Sequence, residues 1–95
     1  SLGIGMSEGP PQPVEVEFDA RIAPYIRERE WHASQRVSER PDGGLRLTLE
    51  VCIDPALRSW ILGFGALARV VAPADLADDI AAELERARAA YPEVR

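Results

Sequence analysis

The chain of 95 residues carries 11 basic and 16 acidic side chains, a net charge of −5, and 46% of it is hydrophobic. That suffices for one small domain with a modest core. It speaks against a free-standing DNA-binding module, which needs a basic footprint on phosphate, and no apolar run reaches the ~18 residues of a membrane span.

The N-terminus begins without Met and shows no basic region followed by a long apolar stretch. A piece of a longer cytoplasmic polypeptide, with no secretory signal, is therefore expected. Residues 1–13 hold Gly3, Gly5, Gly9, Pro10, Pro11 and Pro13, the composition of a linker or peripheral arm. Leu2, Ile4 and Met6 alternate within it, so the arm is able to pair with a sheet edge or a neighbouring domain.

Val14 to Phe18 alternates apolar and acidic residues, a strand with one buried face. Asp19 then caps a helix running to 26–29, with Ile22, Tyr25 and Ile26 on one side and Pro24 in the first turn. The stretch 31–38 is polar but contains Trp31 and Val37, and is expected to be an edge strand. Pro41-Asp42-Gly43-Gly44 is a turn signal. Leu45, Leu47, Leu49 and Val51 alternate with polar residues in the clearest strand of the chain.

Asp54 before Pro55 reads as an N-cap with proline in the first helical turn. Leu57, Trp60, Ile61 and Phe64 recur at helical spacing, and Gly63 and Gly65 end that helix. A short apolar strand follows over 66–71. Pro73 opens the last helix, which runs to about Tyr91 with Leu76, Ile80, Leu84, Ala87 and Tyr91 as its apolar seam.

The order strand, helix, strand, strand, helix, strand, helix gives an α+β domain over 14–95. It is a ferredoxin-like βαββαβ unit with a four-stranded antiparallel sheet and an additional C-terminal helix. The expected core is Val14, Val16, Phe18, Ile22, Ile26, Leu45, Leu47, Leu49, Val51, Leu57, Ile61, Phe64 and Val70. The opposite sheet face would show Glu15, Glu17, Arg46, Thr48, Glu50 and Cys52, with the final helix able to cover part of it. A face of mixed charge suits a protein contact better than a nucleic-acid groove.

Catalytic, cofactor and metal residues are not expected. His32 has no paired nucleophile, and one Cys and one His cannot supply a zinc site. Asp75, Asp78 and Asp79 lack calcium-loop spacing and fall where acidic side chains meet a helix dipole. Gly63-Phe64-Gly65 follows a helix instead of opening one, so it is no phosphate cradle. An acylphosphatase-like enzyme would need a positioned Asn, and the chain has none. The single Cys52 also excludes an internal disulfide and fits a reducing cytoplasm.

Every basic residue is Arg. Arg27 and Arg36 fall near Trp31 and His32, where they would touch an anionic effector, and Arg46 and Arg58 join them as candidate effector or interface contacts. Trp31 would meet a partner subunit or offer a stacking surface to a ligand.

Three runs carry a resemblance to a known family. They are Phe18 to Ile26 continuing through Trp31-His32-Ala33-Ser34-Gln35, then Pro41-Asp42-Gly43-Gly44-Leu45, then Leu57-Arg58-Ser59-Trp60-Ile61-Leu62-Gly63-Phe64-Gly65-Ala66 leading to Val70 and Leu76. Together they resemble the C-terminal extension, or WCX domain, of bacterial WYL-domain transcription regulators. The resemblance implies an upstream WYL barrel that senses a ligand, in some members single-stranded nucleic acid, and an N-terminal helix-turn-helix that alone touches DNA. It implies that this extension contributes a homodimer contact and part of the effector response. The competing expectation is a small-molecule-binding ferredoxin-like module with its ligand between subunits, in a pocket lined by Trp31, Trp60 or Arg58.

Overall fold

A computed structural model describes residues 9–93. Its elements are β1 (Gln12–Phe18), α1 (Ala23–Arg27), β2 (Arg36–Glu39), β3 (Leu45–Val51), α2 (Pro55–Leu62), a 3-10 turn (Gly65–Leu67), β4 (Ala68–Ala72) and α3 (Ala74–Ala89). The four strands lie in the order β2-β3-β1-β4, every neighbouring pair antiparallel. This is the α+β, ferredoxin-like order, with α3 following the last strand.

Alternation in β1 and β3 fixes the register. Val14 lies opposite Leu49, Val16 opposite Leu47 and Phe18 opposite Leu45, and all six are buried. A slip of one residue would carry these side chains to the other face, and each is worth about 1.5–3 kcal/mol when removed from water. Ala23 and Ile26 of α1, Ile61 of α2, and Leu76 and Ile80 of α3 close over this layer to make one core.

The final helix therefore joins the other helices, and the part of the open sheet face it was able to cover is left to the strands. Its Leu76 and Ile80, with Ala23 and Ile53, are buried in the core, whereas Ile22, Val51, Leu57 and Phe64 pack at the core margin. β1 begins at Gln12, two positions before the alternation starts, because Gln12 and Pro13 still pair with Val51 and Glu50. Leu2, Ile4 and Met6 lie outside the described residues.

Three local expectations are corrected. Asp19 does not cap α1: its carboxylate accepts the Arg21 N–H at 2.8 Å, its carbonyl accepts those of Ile22 and Ala23 at 3.0 Å, and Ile22 holds the N-cap position. The edge strand starts at Arg36, not 31, because residues before it close into a loop. The last strand starts at Ala68, since Gly65 with φ +57 turns the chain through the 3-10 segment first.

Other signals act as expected. Asp54 Oδ1 accepts the Leu57 N–H at 2.9 Å and caps α2. In the β2–β3 turn, Gly43 takes φ +90 and Asp42 Oδ1 accepts the Gly44 N–H at 2.9 Å. A Cβ at Gly44 would collide with the Phe18 carbonyl oxygen, so only glycine fits there.

Candidate functional site

Two surfaces stand out on opposite sides of the sheet. The first is an aromatic groove on the helical side. Trp31 leaves α1 and turns back, its Nε1–H donating to the Ile26 carbonyl at 3.0 Å. Its ring lies 5.2 Å from Trp60 of α2 and 5.7 Å from Tyr25 of α1. Trp60 and Phe64 both meet Phe18 edge-on, at 6.0 and 5.1 Å. The rings thus run from the core to the surface, in the offset and tilted geometries that aromatic pairs favour.

Beside them opens a groove of about 220 Å³ whose walls include Trp31, His32, Leu49, Val51, Leu57 and Trp60. A second hollow of about 360 Å³ shares His32, Val51 and Leu57 and reaches Pro11 and Cys52. Indole faces and aliphatic walls suit a flat apolar group, with the imidazole supplying polarity at one edge.

The loop that presents Trp31 and His32 is fastened by the residues following them. Gln35 Oε1 accepts the N–H groups of Trp31 and His32, and its Nε2–H donates to the Arg29 carbonyl at 3.2 Å. Ser34 Oγ accepts the Glu50 N–H at 2.8 Å, tying the loop to β3. Ser34 N–H donates to His32 Nδ1 at 3.1 Å, and the Ser34 Oγ lies 2.7 Å from the same nitrogen.

The second surface is the open sheet face. Registry sets Glu17 of β1 opposite Arg46 of β3 and Arg69 of β4, and Arg40 reaches in from the end of β2. The three guanidinium groups each donate to the Glu17 carboxylate at 2.7 Å. Glu15 accepts from Arg46 at 3.3 Å. Glu17 is only 9% exposed. Its carboxyl is held below the usual carboxylate range, chiefly by the Arg46 hydrogen bond, against the opposing effect of burial and with further help from Arg69 and Arg40.

The sequence-selected residues do not converge. Trp31 and His32 share the groove. Arg27 is drawn to the edge strand, where Glu39 accepts from its Nε and Nη2 at 2.9 and 2.8 Å; this bidentate pair lowers the Glu39 pKa. Arg36 is exposed on β2. Arg46 belongs to the opposite face, and Arg58 sits between α2 and α3, 4.0 Å from Asp79. Sequence reasoning placed Glu17 on the open face but missed the convergence of Arg40 and Arg69 upon it. It also missed Gln35 as the loop fastener. Among the described residues, no group of three or more His, Cys, Asp and Glu is placed to hold a metal ion. No described helix is long and apolar enough to cross a membrane.

Comparison with known families is decisive: the WCX domain profile matches residues 10–88. This chain belongs to the WCX domain family. No curated protein matches it. Within this WCX domain, the Trp-His-Ala-Ser-Gln run is a self-fastened loop. The Trp-Ile-Leu-Gly-Phe-Gly run is the end of α2 with the turn after it, where Gly63 caps the helix. Two of the three runs noted in the sequence therefore build the aromatic groove and its supports, and the third builds the β2–β3 turn.

Proposed function

We propose that this WCX domain is the C-terminal regulatory and dimerisation domain of a bacterial WYL-family helix-turn-helix transcription regulator. It acts in the cytoplasm and without catalysis of its own. The observation carrying this reading is the family match across 10–88, supported by two surfaces shaped for contact: an aromatic groove and an ordered charged sheet face. Upstream domains hold the DNA and most of the effector, and this domain supplies contacts that differ between the regulator's arrangements. An effector that prefers one arrangement then shifts the population of DNA-binding heads.

An anionic effector, nucleic acid included, would meet this domain at Arg36 on the exposed edge strand β2, because Arg27 is already engaged by Glu39. In the parent regulator, Arg36→Glu is expected to weaken effector-dependent operator binding several-fold with the domain's melting temperature unchanged. Operator binding measured by fluorescence anisotropy across an effector titration reads this. An unaltered titration removes the anionic contact, and a parent polypeptide that binds no DNA removes the whole assignment.

The groove beside Trp31 and Trp60 favours a second reading, a small flat ligand bound by this domain itself. Screening planar apolar ligands by quenching of indole fluorescence separates the two. Quenching lost in Trp60→Leu supports a ligand site.

A further inference from the structure

α3 is longer than the body it packs on. Leu76 and Ile80 in its first half are 1% and 7% exposed, whereas every residue of 81–93 is exposed, with Leu84 at 40% and Tyr91 at 71%. The apolar stripe nevertheless continues as Ile80, Leu84 and Ala87, a 4-3 spacing, with Tyr91 following just past the helix end at Ala89. That is the seam of a helix pair, and among the described residues no second helix covers it.

The sequence of this free half states what the second helix should be. Counting outward from the point between Glu85 and Arg86, Glu85 mirrors Arg86, Leu84 mirrors Ala87 and Glu83 mirrors Arg88. Ala81 then mirrors Ala90 and Ile80 mirrors Tyr91, while Ala82 and Ala89 lie on the far side of the helix. Acid answers base, and apolar answers apolar, at every step. The pattern stops at Asp79 against Pro92, where the body begins to cover the helix.

From this we infer that the exposed half of α3 pairs antiparallel with the same helix of a second copy, about a two-fold axis between Glu85 and Arg86. The proposal rests on the dimerisation reading and gives it a surface. In that register Leu84 layers on Ala87 of the second copy, and Tyr91 reaches the body edge at Ile80. The alternating layers are those of an antiparallel coiled coil. Glu83 comes level with Arg88 of the second copy, while Arg86 already donates to Glu83 of its own chain at 2.7 Å, and the two helix dipoles oppose favourably. Small Ala81 and Ala90 flank the seam and let the backbones approach. The contact is isologous, as a closed two-fold dimer requires. It is shorter than the ~1,000 Å² that stable specific interfaces bury, so the 95-residue chain alone associates weakly.

Sedimentation equilibrium of this chain from about 10 μM to about 1 mM tests it. A monomer–dimer equilibrium is expected, with Kd raised about tenfold or more by Leu84→Glu. Ala89→Glu, on the opposite side of the helix, should leave Kd within about twofold. Both positions are exposed, so folding is kept. In a Cys52→Ala background, oxidising a mixture of Leu84→Cys and Ala87→Cys chains should give the mixed disulfide above its statistical share. A monomer throughout the range, a statistical or smaller share of mixed disulfide, or a dimer indifferent to Leu84→Glu overturns the proposal. The last outcome leaves dimerisation itself standing on another surface.

Discussion

Glu17 sits on the open face of the sheet yet is nearly sealed from water, because three guanidinium groups close over it. Alternation alone assigns Glu17 and Arg46 to that face, so their pairing was legible in the sequence. The arrival of Arg40 and Arg69 depends on strand order and on the register shift between Glu15 and Val16 in the β1–β4 pair, which local pattern does not encode. Glu17→Gln removes the carboxylate shared by three Arg side chains, of which Arg46 keeps Glu15 and Arg40 keeps Asp42, and is expected to cost about 1–3 kcal/mol in urea unfolding. The pH dependence gives a second readout. The folded-state pKa of Glu17 is depressed, so its stabilising contribution is fully present above the unfolded value of about 4.3 and is lost as pH falls through the lower folded value. Urea midpoints measured from neutral pH down into that range should fall less steeply in Glu17→Gln than in the parent. Parallel curves would show that the clamp does not stabilise the fold.

At the scale of elements, the strongest periodic segments were legible. The Leu45 alternation gave β3 with its bounds, and Asp54-Pro55 gave the start of α2. The stretch before β2 was not legible, because its conformation is set by one side chain bonding to three backbone groups. Gln35 gathers the N–H groups of Trp31 and His32 and donates to the Arg29 carbonyl, so the extended segment begins only at Arg36. Gln35→Ala strands those three groups and is expected to lower stability by about 1–3 kcal/mol. Its indole emission should shift to the red as Trp31 loosens from Trp60. Unchanged emission with unchanged stability would show that the loop is held by other contacts. The β2–β3 turn is a second case of local dictation. Gly44→Ala forces a methyl against the Phe18 carbonyl, and the strain should cost about 1–3 kcal/mol, seen as a lower thermal midpoint.

For the whole molecule, the topology puts stability unevenly. β1 and β3 are central, flanked on both edges and covered by Ala23, Ile26 and Ile61 on one face. β2 is an edge strand with all its residues exposed, and α3 leaves the body after Ile80. The sequence reading extended the apolar seam of α3 evenly to Tyr91, because periodicity reports which face is apolar and not where the partner surface stops. Local opening free energy follows burial and backbone protection, so amide exchange should grade along the chain. In dilute protein, the amides of Val16 and Leu47 should exchange only through global unfolding. Those of Leu84 and Ala87 should exchange orders of magnitude faster despite equal helical hydrogen bonding, because fraying of the free half exposes no core. Raising the concentration into the range of self-association should protect Leu84 and Ala87 while leaving Val16 and Leu47 unchanged. Uniform slow exchange along all of α3 at low concentration would mean that the helix is stabilised throughout by the body of its own chain, and the unevenness drawn from the topology would be wrong.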